Sequence, residues 1–108
     1  MGQLDNGGSR AKLDASLDGS GASVISISGE IDMSNVVSLE AELESLIAPG
    51  CDVLVFDLSA LAFIDSSGLA LLLRAAGKTG RLELRHASAT VLRIIQATGL
   101  SDILHVQT

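Results

Sequence analysis

The segment from Phe63 to Gly68, with the sequence Phe-Ile-Asp-Ser-Ser-Gly, contains the residues best suited to chemistry in this chain. It places one carboxylate and two hydroxyls between an apolar run and a glycine. A serine hydroxyl can attack a substrate when a neighbouring base takes its proton, or it can accept a phosphoryl group. The first reaction would make the chain an enzyme, and the second would change the charge of a binding surface.

Catalysis by Ser66 would need a base and a suitably strained turn. The nucleophile elbow G-x-S-x-G is incomplete, because Ile64 occupies the position of its first glycine. The histidines of the chain, His86 and His105, lie at or near predicted strand ends, where a surface histidine is the simpler interpretation. A hydrolase with a triad of Asp65, Ser66 and one of these histidines remains an alternative.

Two other patterns were tested as ligand sites. The tripeptide Gly77-Lys78-Thr79 resembles the end of a phosphate-binding loop, but Leu72 stands where that motif requires a glycine. The tripeptide also follows a predicted helix instead of preceding one, so Gly77 is better explained as a helix C-cap. Metal ligation is disfavoured, because Cys51 is the only cysteine and the histidines are far apart in sequence. We therefore predict no metal site and no cofactor.

The charge of the chain disfavours several classes of partner. The 108 residues carry a formal net charge of -6. Nucleic acid requires a basic face, and an anionic membrane would repel this chain, whereas a basic protein partner suits it. No apolar run reaches the roughly 18 residues of a membrane span, and the first residues lack the regions of a signal peptide. We expect a soluble, cytoplasmic protein that binds no nucleic acid and does not insert into a membrane.

Apolar periodicity predicts strands that alternate with helices. The first two strands form a hairpin, and the run at 53–56, apolar at every position, predicts a central strand covered on both faces. Helical crossovers imply parallel pairing, so the hairpin makes the sheet mixed and the fold α/β. One domain at 11–108 follows a flexible tail at 1–10. The predicted strands are 13–17, 24–28, 53–56, 81–85 and 103–106, and the predicted helices are 36–47, 69–76 and one that begins after Ser88.

Ser66 lies where an apolar run gives way to a helix, and either Asp65 or Ser66 can cap that helix. A phosphoryl group on Ser66 would add about -1.5 to -2 charges. We expect the free N–H groups of the helix N-terminus to hold it without refolding the domain. Glu30 and Asp32 are explained by a turn and by a cap on the first helix, for which Ser34 is the alternative cap. A part in shaping a partner surface stays open for both carboxylates.

The helix after Gly68 is unusually apolar, with Arg74 as its only charged residue. A helix on a protein surface normally has a polar outer face. This helix is therefore buried all round, or it offers an apolar patch to a partner, or different residues serve each purpose. Its apolar stripe is formed by Leu69, Leu72, Leu73 and Ala76, and Ala70, Leu71 and Ala75 lie off that stripe.

Four pieces of the sequence, in order and over roughly residues 12–106, resemble the STAS family, named for sulfate transporters and anti-sigma factor antagonists. The resemblance implies a single domain with a mixed four- to five-stranded sheet and three to four helices. It is nearest to the bacterial anti-sigma factor antagonists, which bind an anti-sigma serine kinase and free a sigma factor. The four pieces are Gly29-Glu30-Ile31-Asp32, Val55-Phe56-Asp57-Leu58-Ser59, Phe63-Ile64-Asp65-Ser66-Ser67-Gly68-Leu69 and Thr98-Gly99-Leu100.

The resemblance also implies a role for Ser66 that is not catalytic. In that family the kinase phosphorylates the first hydroxyl residue of the D-S-[ST]-G motif, which breaks the complex, and a phosphatase restores it. Carried over, Ser66 is the phosphorylated residue, and an anti-sigma factor serine kinase and a phosphatase are the partners. The residues that we expect in the partner-binding surface are Asp65, Ser66, Ser67, Gly68, Leu69, Leu71, Glu30 and Asp32.

The sequence also resembles the STAS subunit of bacterial phospholipid-trafficking ABC transporters, a scaffold that binds the ATPase. This second likeness lies in Gly68-Leu69-Ala70-Leu71-Leu72-Leu73. A serine at position 66 favours the anti-sigma interpretation without excluding the scaffold. The oligomeric state is left open by the sequence.

Overall fold

The computed structural model describes residues 11–48, 50–101 and 103–107, and the tail predicted at 1–10 lies outside them. Strands and helices alternate along most of these ranges, as their apolar periodicity predicts. The elements are β1 (Lys12–Leu17), β2 (Ser23–Ile31), α1 (Val36–Leu46), β3 (Val53–Asp57), β4 (Leu61–Ile64), α2 (Ser66–Ala76), β5 (Arg81–Arg85), α3 (Ala89–Ala97) and β6 (Val106–Gln107).

Five of the strands form one mixed sheet in the order β1-β2-β3-β5-β6. Strands β1 and β2 pair antiparallel as the predicted hairpin, and the pairs β2–β3, β3–β5 and β5–β6 are parallel. The apolar strand β3 lies in the middle of this order. The predicted α/β class, the mixed sheet and the central position of β3 are therefore confirmed.

Strand β4 was not predicted from the sequence. It pairs parallel with the C-terminal end of β2, beyond an irregularity in the pairing between Gly29 and Glu30. Four residues with only Leu61 and Ile64 buried give too little alternation to be recognised as a strand. The last strand was also placed wrongly, because β6 begins at Val106 and the preceding His105 has a φ of 45°, which is incompatible with a strand.

A single apolar core lies between one face of the sheet and the helices. Alternate residues of β2, β3 and β5 point to this side, which is why they pack with all three helices. Each fully buried leucine, isoleucine or phenylalanine contributes about 1.5–3 kcal/mol relative to an exposed one. The strand residues at the centre of this core are Ile25, Ile27, Leu54, Phe56, Leu82 and Leu84.

Helices α1 and α2 are also joined at their outer faces. The guanidinium of Arg74 makes two hydrogen bonds of 2.7 Å with the carboxylate of Glu40, and Lys78 pairs with Glu44. Gly77 is the C-cap of α2, as predicted. Because α2 begins two residues after β4 ends, its N-terminus lies at the C-terminal ends of β2 and β4, where the serine loop is found.

Candidate functional site

Asp65 joins strand β4 to helix α2 and caps the helix. Its backbone is extended, and its Oδ1 accepts hydrogen bonds from the backbone N–H groups of Ser67, at 2.9 Å, and Gly68, at 3.2 Å. Its carbonyl oxygen accepts the first helical bond, from Leu69, at 3.0 Å. Of the two predicted caps, Asp65 is therefore the one that the chain uses, because its short carboxylate reaches both amides at once.

The same aspartate ties the serine loop to the segment after β2. Its backbone N–H donates to the carbonyl oxygen of Ile31 at 3.1 Å, and the backbone N–H of Met33 is among the groups that lower the pKa of its carboxylate. The parallel pairing of Glu30 with Phe63 continues this contact along the strands. Two segments that are distant in sequence thus form one surface at the end of the sheet.

The turn between β2 and α1 is held by its own polar side chains. The Oδ1 of Asp32 accepts from the backbone N–H of Ser34 at 2.9 Å and from its hydroxyl at 2.5 Å. Asn35, only 2% exposed, donates from its side chain to the carbonyl oxygen of Glu30 and accepts from the N–H of Asp32. The helix cap is Asn35, so the predicted cap by Asp32 or Ser34 is wrong: those residues close the preceding turn instead.

Asp65 is held as a carboxylate. The hydroxyl of Ser67 donates to its Oδ1 at 2.5 Å, and this bond is the largest of the causes that lower the pKa of Asp65. Partial burial raises the pKa, and the amides of Gly68, Ser67 and Met33 lower it further. The site therefore carries a fixed negative charge at neutral pH.

The two serines of the loop have different environments. Ser66 is exposed at the first position of α2, and its hydroxyl makes no hydrogen bond to any residue that the structure describes. Ser67 is half-buried, and its hydroxyl is bonded to the Asp65 carboxylate. Of the two hydroxyls, that of Ser66 is the one accessible to an enzyme without breaking the cap.

Three amides at the helix N-terminus already have acceptors in the unmodified protein. The amides of Ser67 and Gly68 are bonded to Asp65, and that of Leu69 is bonded within the helix. Whether the helix N-terminus would hold a phosphoryl group stays a prediction, for which these three amides are already occupied. A phosphoryl group on Ser66 would remain at the surface, next to the carboxylate of Asp65.

Gly68 is required by packing. A Cβ atom at this position would lie 2.4 Å from Cγ1 of Ile64 and 2.9 Å from Cγ2 of Ile31. Both isoleucines are fully buried, so they have little room to move. The absence of a side chain lets the first turn of α2 lie directly on the ends of β2 and β4, which holds the loop in place.

Two residues expected in the partner surface are in the core instead. Leu69 is 5% exposed and Leu71 is 1% exposed, because α2 contacts α1, β4 and β5 on different sides. This corrects their assignment to the partner surface, since neither can be reached in this conformation. The remaining members of the set, Asp65, Ser66, Ser67, Gly68, Glu30 and Asp32, do come together at the end of the sheet.

Three exposed apolar side chains lie at the serine loop, and nothing in the sequence assigned two of them, Met33 and Val37, to the site. Met33 is 80% exposed, Val37 is 78% exposed and Phe63 is 42% exposed. We call these three residues the apolar patch. An apolar residue in a sequence predicts burial, and only the local backbone geometry reveals that these three face outward.

The described residues do not form the arrangements that the other candidate functions require. No histidine in the described ranges is hydrogen-bonded to Ser66, and His86 lies near Asp57 instead. Among the described residues, no group of three or more histidine, cysteine, aspartate or glutamate side chains could hold a metal ion. None of the described helices has the length and apolarity to cross a membrane.

The chain is similar over most of its length to known proteins. A family model described as "Mlab, STAS domain" matches residues 6–106. An anti-sigma factor antagonist from Mycobacterium paratuberculosis has 32% identical residues and a TM-score of 0.80, covering 95% of this chain and 89% of that one. The anti-sigma factor antagonist SpoIIAA in its unphosphorylated form has 25% identity and a TM-score of 0.62, covering 90% of this chain and 89% of that one.

A curated relative gives a shorter match. The anti-sigma-F factor antagonist RsfB of Mycobacterium tuberculosis is 39% identical over 64 residues, which are 59% of this chain and 52% of the relative. The match thus spans about half the length of that relative. All three of these proteins are described as anti-sigma factor antagonists.

Proposed function

The chain belongs to the STAS domain family, and we propose that it is an anti-sigma factor antagonist that binds an anti-sigma factor serine kinase and so frees a sigma factor. Phosphorylation of Ser66 ends this binding, and a phosphatase restores it. The observation that carries the proposal is an exposed Ser66 hydroxyl, with no hydrogen bond to another described residue, beside a carboxylate that is fixed at a helix cap. The similar proteins named above support it, since they are described as anti-sigma factor antagonists.

The chemistry of the switch is an ordinary phosphoryl transfer. The Ser66 oxygen attacks the γ-phosphorus of ATP, the bond to ADP breaks, and the hydroxyl proton passes to a base of the kinase. The phosphatase reverses the modification with water and releases inorganic phosphate. The chain supplies only the acceptor hydroxyl, so we propose no enzyme activity for it and a cytoplasmic location, where kinase and ATP are found.

The effect of the phosphoryl group is electrostatic. It adds about -1.5 to -2 charges beside Asp65, on a surface that already contains the carboxylates of Glu30 and Asp32. The amides of Ser67 and Gly68 are already bonded to Asp65 and are not available to bind this charge. A partner surface that fits the unmodified loop would be repelled, while the fold of the antagonist stays the same.

The test uses wild type and three variants with the purified anti-sigma factor kinases of the source organism and ATP. Wild type and Ser67→Ala should each gain one phosphoryl group by intact mass, whereas Ser66→Ala should gain none. Ser66→Asp should weaken kinase binding by about 1 kcal/mol or more, which is roughly fivefold in Kd. Modification of Ser67 instead, or a Ser66→Asp variant that binds like wild type, would contradict the proposal.

The description of the matching family model favours a second candidate, a scaffold subunit of a phospholipid-trafficking ABC transporter, because it names Mlab beside the STAS domain. The binding face would then include the α2 side of the molecule, and Ser66 would be incidental. Stable co-purification with a transporter ATPase, equally for wild type, Ser66→Ala and Ser66→Asp, would support this function over the first.

A further inference from the structure

The apolar patch of Met33, Val37 and Phe63 is the most unusual surface of the described chain near the serine loop. Met33 and Val37 are each almost as exposed as they would be in an unfolded chain, at 80% and 78%. Exposed apolar residues that stand alone need no explanation, but a group of them beside a functional site indicates an interaction surface.

All three residues belong to the two segments that meet at Asp65. Met33 lies in the turn before α1, where its backbone N–H helps to lower the pKa of the Asp65 carboxylate, and Val37 is in the first turn of α1. Phe63 lies two residues before Asp65, on β4, in register with Glu30 of β2. The patch therefore lies at the same end of the sheet as Ser66.

The exposure of Met33 is imposed by the turn that carries it. Asp32 and Asn35 bind the backbone on either side of Met33, at 2.9 Å to Ser34 and 2.8 Å to Glu30 respectively. Because these bonds fix the turn, Met33 cannot fold back onto the core. Its apolar side chain can leave water only when another molecule covers it.

The charges around the patch define what would cover it. The segments 29–37 and 61–69, which form this surface, contain the carboxylates Glu30, Asp32 and Asp65 and no lysine or arginine, and the exposed cation Arg93 lies on α3, which packs against β4. Apolar side chains beside three carboxylates match a partner with an apolar recess bordered mainly by basic side chains, by the usual complementarity of charge.

We infer that Met33, Val37 and Phe63 are the anchor by which this chain docks into an apolar, basic-rimmed recess of its partner kinase. This inference rests on the proposed function. In this arrangement the patch supplies affinity and the neighbouring Ser66 supplies control. A phosphoryl group on Ser66 would place charge at the edge of the buried contact, where water is excluded and the charge is least tolerated.

The test measures Kd for the anti-sigma factor kinase that Ser66→Asp releases, with purified proteins. Met33→Gln and Val37→Gln should each weaken binding about tenfold or more, the range for residues at the centre of an interface. Leu17→Gln is the matched control, because Leu17 is also an apolar residue, 71% exposed, but lies on β1 away from the loop. All three changes are at exposed positions, so the melting temperature should stay close to that of wild type.

The salt dependence of Kd tests the charge complementarity separately. Wild-type binding should weaken as salt is raised, and Asp32→Asn, which keeps the acceptor of the turn, should reduce this dependence. Binding in which Met33→Gln and Val37→Gln behave like Leu17→Gln would overturn the inference and leave the proposed function standing. A wild-type chain that binds none of the kinases would overturn both. A change of the chain's own oligomeric state in Met33→Gln would assign the patch to self-association and also overturn the inference.

Discussion

Replacing Gly68 by alanine should destabilise the domain, although alanine is the better helix former. The added Cβ would lie 2.4 Å from Cγ1 of Ile64 and 2.9 Å from Cγ2 of Ile31, well inside van der Waals contact. These atoms are close to the backbone of buried residues, so relief requires a movement of α2 away from the strands. Overpacking of this kind costs about 1–3 kcal/mol, and the contact at Ile64 favours the upper half of that range.

Helix propensity acts in the opposite direction and is smaller. Glycine to alanine in a helix gains up to about 1 kcal/mol, so we expect a net loss of about 1–2 kcal/mol in the free energy of unfolding. Urea unfolding with linear extrapolation measures this loss, and a decrease in melting temperature of several degrees should accompany it. Because α2 carries the cap, the displaced helix should also weaken partner binding.

Gly77→Ala is the matched control in the same helix. Its Cβ would meet only the carbonyl oxygen of Arg74 at 3.5 Å and that of Leu73 at 3.8 Å, which are ordinary contacts, and its φ of -72° suits any residue. This variant should be as stable as wild type or slightly more stable. Equal stability of Gly68→Ala and Gly77→Ala would refute the view that close packing at Gly68 holds the serine loop.

Two further predictions concern the polar bonds of the site. The pKa of Asp65 is lowered in the folded protein, first by the Ser67 hydroxyl. The stability that the Asp65 carboxylate contributes is therefore fully present above its unfolded pKa of about 3.9, and it is lost as the pH falls through the folded pKa. Asp65→Asn should therefore flatten the acid limb of the stability curve measured by urea unfolding from neutral pH to below pH ~4, and an unchanged acid limb would contradict the assigned cap. Asn35→Ala should lower the free energy of unfolding by about 1–3 kcal/mol, because the carbonyl oxygen of Glu30 loses its donor at 2.8 Å in a part-buried position. A thermal melt indistinguishable from that of wild type would show that water replaces that bond.

Local chemistry in the sequence was sufficient to predict most of the fold. The capping residues Asp65 and Ser88 and the C-cap Gly77 act through neighbours close in sequence, and the structure confirms each. The central strand β3 could be predicted because its run is apolar at every position, although its partners β2 and β5 are distant in sequence. Strand β4 was missed because it is defined by its pairing with β2, a contact between distant segments. A four-residue strand has too few residues for its period to be visible.

The candidate site was predicted in its polar part and not in its apolar part. Asp65 and Ser66 could be recognised because their types suit a cap and a phosphoryl acceptor. Leu71 was expected in the partner surface and is 1% exposed, whereas Met33, for which the sequence predicted no role, is 80% exposed. The sequence does not distinguish a buried apolar residue from an exposed one, because burial depends on tertiary packing. Here α2 is enclosed on several sides, whereas the turn before α1 is not.

The four residues from Asp65 to Gly68 divide their tasks in a way that makes a reversible switch physically feasible. Asp65 caps the helix, Ser67 holds the Asp65 carboxylate, and Gly68 lets the helix approach the strands. Ser66 has a polar side chain that makes no hydrogen bond within this framework among the described residues. A modification can therefore change the charge of the surface without removing any bond that maintains the fold. Phosphorylation should then change the free energy of partner binding and leave the free energy of unfolding nearly the same.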